Sequence, residues 1–490
     1  MKTAGLVICI ALSLILCGCG ETHKPGIDIS ENALLLYNVQ IIDVEGGGIL
    51  KENAVLIDSG RIRAIDSYGN LKPIIPPISQ IDLQGKYAIP GLWDMHVHIE
   101  GEDLVPDNRL LFPVYLAYGI TTVRDCASDL GELVLSWRDS IAAGQMLGPQ
   151  IFTAGRKLEG INSIWKGDLE IADEMELQQS LDTLDSYKVD FVKITENTLQ
   201  GPLFLRSVQE AHKRGYKVSG HVPYELGIGE LVHAGFSSIE HASYMLRLGC
   251  DEEYVVDRLK SGEMSRAEAN EWYLSHFNQD TAVAAFRKLA KTGLAVTPTL
   301  IGGRQLAFLE ETDHSDDAFL QYLTDRFTSN YQWRIDRMAG ESPEQKEERK
   351  ARYNLIARQL PFMQQAGITL LAGSDAAALN TYVYPALSLH EELGLFSESG
   401  LEPLEILRAA TINGARFMGE EATMGSIAKG KQADLLILNS NPLEDISATQ
   451  EIHALVKDGE YLDRKTLDGF LRNARDMRQA LNRQRAKIQE

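Results

Sequence analysis

Between residues 87 and 373, short apolar runs alternate with longer segments of helical spacing, and this rhythm restricts the fold more than any other feature. The runs at 87–99, 121–124, 150–154, 190–195, 217–222, 237–240, 294–300 and 368–373 read as strands. The clearest helical stretches between them are 203–214 and 226–234. Gly119, Gly215, Gly235, Gly293 and Gly367 stand where helices should close, because glycine tolerates the left-handed conformation needed there. Strand–helix alternation predicts parallel pairing, since parallel strands need a crossover between them. Eight such units predict an α/β fold with a (β/α)8 TIM barrel over 87–418. Two connections, 244–286 and 302–365, are unusually long, charged and helical in pattern. Their charge runs (Glu310, Glu311 and Asp313; 344–352) fit solvated helix faces, with a cap over the barrel mouth as the alternative.

Strand character also flanks this region. The stretches 33–86 and 419–464 carry extended apolar runs, a Ser59-Gly60 hairpin signal and a Lys457-Asp458-Gly459 turn. They predict one small β-sandwich domain built from both flanks. In the tail, 465–490, helical intervals separate Leu467, Phe470, Leu471, Ala474, Met477 and Leu481, so a helix packed on the body is expected. At the other end, Lys2 precedes an apolar run that closes with Leu16-Cys17-Gly18-Cys19. This resembles a bacterial lipoprotein signal: a signal peptide over 1–19, lipid on Cys19 and a tether over 20–32. A plain secretory signal is the alternative, and either exports the chain. Gly20 offers no acidic retention cue, which points to the periplasmic face of the outer membrane. Cys126 and Cys250 are left in the body and are read as free. Lys+Arg 48 against Asp+Glu 69 gives a net charge of -21, which argues against a nucleic-acid partner.

The predicted strand ends collect chemistry. His96 and His98 lie two apart, hence on one face of a strand. Neutral imidazoles so placed can grip one metal ion. Lys193, His221, His241 and Asp375 fall at comparable places on other strands. Lys193 sits between Val192 and Ile194, where an unpaired ammonium is costly. Either Asp125 or Glu240 pairs with it, or the neutral amine takes up carbon dioxide as a carbamate. Arg124 either binds a substrate carboxylate or is buried against Asp125 or Asp94. Tyr224 either hydrogen-bonds substrate or simply packs. Thr297 and Thr299 alternate around Pro298, so one of them, Thr299 by preference, faces the pocket. Trp93 and Met95 point away from His96 into the core. His212, His233 and His390 read as structural or surface residues.

Taken together, P-G-L-W-D-M-H-V-H, V-K-I, G-H-V, I-E-H-A and G-S-D-A resemble the amidohydrolase superfamily, in particular its imidazolonepropionase-like and prolidase-like hydrolases. Further matches are I-D-L-Q-G-K, G-I-T-T-V-R-D, L-H-E-E-L, A-A-T-I-N-G-A-R-F-M-G and G-K-Q-A-D-L-L-I-L. The resemblance implies two divalent metal ions, zinc by expectation. His96 and His98 would hold the buried one, and His221 and His241 the other. Carboxylated Lys193 (N6-carboxylysine) would bridge them, and Asp375 would join the buried metal as general base and then acid. It implies hydrolysis of a C–N bond, in an amide, cyclic amide or dipeptide, by a metal-bridging hydroxide. Two alternatives stay open. One is a mononuclear ring-opening hydrolase with unmodified Lys193; the other is a non-catalytic binding lipoprotein. Val222-Pro223-Tyr224 after His221 and the two long connections depart from the pattern, which leaves the small-molecule substrate open. A homo-oligomer is also compatible.

Overall fold

The computed structural model describes residues 29–72 and 79–489. Residues 1–28, with Cys19 and most of the tether, lie outside the described residues, as do Pro73, Pro76 and Pro77.

Two kinds of sheet make up the protein. The first is mixed. It contains β1 (Leu34–Asp43), β2 (Gly48–Asp58), β3 (Arg61–Ser67), β4 (Gln80–Asp82) and β5 (Tyr87–Pro90). The second kind is parallel. One piece holds β6 (Leu92–Val97), β7 (Ile120–Asp125) and β8 (Gln150–Thr153). The other holds β9 (Leu158–Gly160), β10 (Leu169–Ile171), β11 (Val192–Ile194), β12 (Val218–Gly220), β13 (Phe236–Glu240), β14 (Ala295–Thr297) and β15 (Thr369–Leu370). The chain then returns to the mixed sheet with β16 (Leu435–Leu438), β17 (Ile452–Lys457) and β18 (Glu460–Asp463).

The mixed sheet has the order β18-β17-β16-β5-β1-β2-β3, with β4 beside β1. Ser59 and Gly60, with φ of 54° and 75°, form the two-residue β2–β3 turn expected from the sequence. It is one hydrogen-bonded sheet, where a sandwich would stack two. Its β3 edge is tied back near β16: Ile62 N donates to Lys431 O, and Gly430 N to Ile62 O. Val55, Ile57, Ile62, Leu435, Ile437 and Val456 therefore share one core, so the curled sheet faces itself.

The run expected as one strand over 87–99 is two strands. Tyr87–Pro90 pairs with β1 and β16, and after Gly91 the chain enters β6. Pro90 lacks an N–H and Gly91 accommodates the bend, which lets one stretch serve two sheets. Strands β9 and β10 were not anticipated; at three residues each they leave no periodic signal. The two parallel pieces touch at both ends. Asp190 N donates to Thr153 O at 2.9 Å on one side. On the other, Met95 N donates to Ala372 O at 2.8 Å and His98 N to Ala376 O at 2.9 Å. The architecture is α/β, with helices between the parallel strands.

The five glycines expected to close helices all have positive φ. Both long connections are helical. The first includes Arg266–Ser275 and the second includes Gln332–Met338 and Pro343–Ala357. The tail helix Arg464–Gln489 packs on the body: Leu467 and Ala474 are buried, while Met477 is half exposed. Arg485 of this helix pairs with buried Asp107 at 2.5 Å. No described helix is long and apolar enough to cross a membrane.

Candidate metal centre

β6 delivers His96 and, one residue past its end, His98. Asp375 reaches the same point from the loop after β15, its backbone N–H donating to His96 O at 2.7 Å. Asp375 Oδ1 lies 3.3 Å from both His96 Nε2 and His98 Nε2, and those two nitrogens are 3.3 Å apart. Across the site, His221 Nε2 and His241 Nε2 are 3.2 Å apart, and the rings of His96 and His241 have centroids 5.2 Å apart.

The opposite nitrogen of each ring is already used. His96 Nδ1 donates to Glu240 Oε2 at 2.9 Å, and His98 Nδ1 to Ala127 O at 3.1 Å. His221 Nδ1 donates to Glu196 Oε2 at 2.9 Å, and His241 Nδ1 lies 2.7 Å from the Thr299 hydroxyl, which is able to accept from it. For His96, His98 and His221, whose Nδ1 faces an oxygen that can only accept, the neutral tautomer puts the lone pair on Nε2, and the Thr299 hydroxyl allows the same for His241. The lone pairs then confront each other in two pairs, an arrangement that a cation relieves and a proton satisfies only singly. His96, His98 and Asp375 make a three-donor cluster, with ligand atoms within 4.8 Å of one another.

Lys193 lies on β11 beside these groups. It is buried, and Nζ has no hydrogen-bond partner among the described residues. Its charge is felt at His96, His98, Glu240 and His241. Neither expected counter-ion takes it. Asp125 accepts from Ile99 N and the Thr153 hydroxyl. Glu240 accepts from Arg124 and His96. His96, His98 and Asp375 thus fit a cation, while His221 and His241 face each other with no carboxylate on their Nε2 side among the described residues, and the buried Lys193 amine stays without a partner.

Electrostatics follow burial and neighbours. Burial and the Lys193 charge push His96 down to about 4, so it stays neutral. Burial also pushes His241 well down. For His98, burial pulls down but Asp375 outweighs it, and the net direction is up. Burial opposes the charge on Asp375, yet His96, His98 and His241 hold its carboxyl far below the usual range.

Close backbone approach builds the floor. A Cβ at Gly220 would lie 2.0 Å from Ile194 O, and one at Gly373 would lie 2.8 Å from His96 Cβ. Only glycine lets β11 and β12, or β15 and β6, come this near. His241, Thr299 and Asp375 take left-handed φ of 76°, 49° and 60° at the strand ends. Such conformations cost about 1–3 kcal/mol each in non-glycine residues and gather at functional sites.

Three expected substrate contacts are corrected or moved. Arg124 is fully buried and every donor is engaged: Nε with Met95 O, Nη1 with Ser219 and Ser238, Nη2 with Glu240 and Thr297. It is a positioning residue that fixes Glu240, and through it His96, and no substrate reaches it. Thr299 holds His241. Tyr224 pairs with Asn270 at 2.9 Å, beside a cavity next to His221. Trp93 and Met95 are in the core as expected, and His390 is buried between Thr449 and Tyr118 O. Cys126 and Cys250 are free thiols.

Sequence reasoning missed the supporting carboxylates. Asp94 accepts from Ser374 N at 2.9 Å and from its hydroxyl at 2.6 Å, setting the Asp375 loop. Glu196 orients His221 and also accepts from Tyr244 at 2.8 Å. Glu392 caps the helix Leu300–Ala307 through Leu300 N and Ile301 N. The usable signal was an acid inside or next to an apolar run, as in I-E-H.

Facing imidazoles and a carboxylate at the strand ends of a parallel sheet define an α/β protein with a cation-type donor set. The profile of the Amidohydrolase family matches residues 87–462, and the chain belongs to that family. It is a hydrolase of carbon–nitrogen bonds, acting on a small molecule. Ochratoxinase from Aspergillus niger is 25% identical over 466 residues, covering 84% of this chain and 82% of that protein. Imidazolonepropionase from Thermoplasma acidophilum is 23% identical over 433 residues, covering 87% and 91%. A prolidase solved with N-methylphosphonate-L-proline superposes with a TM-score of 0.62 at 21% identity, covering 88% of this chain and 100% of that one.

Proposed function

We propose that this chain is a metal-dependent hydrolase of small, dipeptide-like amides, using two divalent cations, with zinc expected, and a carboxylated Lys193. The observation that carries the reading is the double confrontation of Nε2 atoms around an orphaned lysine amine. His96, His98 and Asp375 would hold one cation, and His221 and His241 the other. A carbamate on Lys193 would supply the carboxylate oxygens missing beside the second pair and remove the cost of an unpaired ammonium. When bound, the cations supply an acidified water and a polarised substrate carbonyl. Asp375, kept ionised by its imidazole neighbours, would take a proton from the attacking water as its oxygen bonds to the carbonyl carbon, and give that proton to the leaving nitrogen as the C–N bond breaks. Glu240, Glu196, Ala127 O and Thr299 keep the four rings aimed.

The ochratoxinase and prolidase likenesses support an amide between an acyl group and an amino acid as the substrate class. We read β6–β8 and β11–β15 as one closed eight-stranded barrel, with the short β9 and β10 as additions to it, a reading supported by the hydrogen bonds at both seams. The Cys19 motif supports an exported, lipid-anchored protein. The test is hydrolysis of a panel of dipeptides, N-acyl amino acids and lactams by protein loaded with zinc and bicarbonate. Turnover of a dipeptide-like member, abolished in Lys193→Ala, supports the reading. Turnover of lactams alone, retained in Lys193→Ala, overturns it.

A further inference from the structure

The two long connections meet beside the second histidine pair and enclose a cavity of about 150 Å³. Asn270 and Tyr273 reach it from the helix Arg266–Ser275, and Arg352 from the helix Pro343–Ala357. Val222 and Tyr244 bring it close to the site: Val222 follows His221, and the Tyr244 ring lies 5.8 Å from that of His221.

The charge of this cavity is one-sided. Two arginines line it and no carboxylate does. Arg247 is spoken for, donating to Pro223 O and Leu226 O and pairing with Glu252 at 3.0 Å. Arg352 is not. On the same helix, Lys346 and Arg349 pair with Glu310, and Lys350 pairs with Glu311. Arg352 alone among these basic side chains makes no ion pair or side-chain hydrogen bond with the described residues. In a chain of net charge -21, a guanidinium left without a carboxylate at a cavity is a place for an anion. Two more donors converge there. The Tyr273 hydroxyl is buried with no partner among the described residues, and burial raises its pKa to about 12, so it keeps its proton. Asn270 uses one amide N–H on Tyr224 and has a second to give. A liquid-like water occupies about 30 Å³. The cavity therefore has room for a carboxylate and the carbons next to it, with the remainder of the substrate outside it.

We propose that Arg352, with Tyr273 and Asn270, binds the free carboxylate of the substrate on the His221 side of the scissile bond, making the enzyme selective for amino-acid-type acids over their decarboxylated amines. The proposal rests on the amide-hydrolase reading above, and its test separates the two.

The full chain, loaded with zinc and bicarbonate, is assayed on N-acetyl-L-phenylalanine and N-acetyl-2-phenylethylamine, and thermal shift is recorded with L-phenylalanine and 2-phenylethylamine. Wild type should favour the acid in kcat/KM, and Arg352→Gln should reduce that preference about 10- to 100-fold, the worth of a charge-assisted hydrogen bond. The change should sit mainly in KM. Arg349→Gln, which removes a paired neighbour, should keep the wild-type preference. L-phenylalanine should stabilise wild type more than the amine does, and Arg352→Gln should lose that difference. If neither compound is hydrolysed but the Arg352-dependent shift persists, the amide-hydrolase reading fails and the carboxylate site stands. An acid preference that survives Arg352→Gln, or no preference in either readout, overturns the site.

Discussion

The floor of the candidate site and its wall are built in opposite ways. On the floor, His96, Arg124, Lys193 and Glu240 are essentially inaccessible to solvent. There, the polar groups around the histidines answer one another across five strands, β6, β7, β12, β13 and β14, and Lys193 Nζ stands apart unpartnered. The wall is made of helices from the two long connections. Its charges pair near solvent, as Arg258 does with Glu263. A buried charge that loses its partner is costly, whereas a surface pair contributes little. The floor is therefore intolerant of change and suited to chemistry, while the wall is free to vary and suited to selecting substrate.

The largest effect that would sharpen this contrast is on turnover. Asp375→Asn should lower kcat by about a thousandfold, within the range of general acid–base catalysis, with a melting midpoint near that of wild type. Residual turnover within tenfold of wild type would take Asp375 out of proton transfer. Glu240→Gln should be next and should act on stability, because Arg124 is then buried without its carboxylate. Denaturant unfolding should show a loss of about 3–5 kcal/mol, together with weaker zinc binding as His96 loses its orienting acceptor.

His390 tests burial away from the metal ligands. Burial lowers its pKa from 6.5 to about 4. As pH falls below 6.5, the unfolded chain takes up a proton that the folded chain refuses until about 4. Stability should fall across that window by about 3 kcal/mol and be recovered as pH rises. His390→Gln should flatten this part of the stability–pH curve. The smallest effect belongs to the wall. Arg258→Gln should cost under about 1 kcal/mol in the same denaturation experiment. A larger cost would erase the distinction between wall and floor.

The same contrast explains what could be read from the sequence. Polar side chains interrupting apolar strand ends are conspicuous, so His96, His98, Lys193, His221, His241 and Asp375 stood out, and the structure brings them to one place. Pairing across strands is not written locally. Arg124 was left open between a substrate contact and burial against Asp125 or Asp94, because its actual partner Glu240 is 116 residues away and joins it only through the β-sheet order. Thr299 was expected to face the pocket, but its turn in left-handed conformation aims its hydroxyl at His241. The flanking sheet was legible as strands but not in its path, because Tyr87–Pro90 crosses from one sheet to the other without any break in apolar character. The walls were legible only as helices, since charge runs do not say which arginine lacks a partner.

The most direct test is a zinc titration of metal-stripped protein in bicarbonate, followed by hydrolysis of the dipeptide-like substrate. The account predicts activity that rises to a break at two equivalents per chain and is lost without bicarbonate. A break at one equivalent that is indifferent to bicarbonate would contradict it.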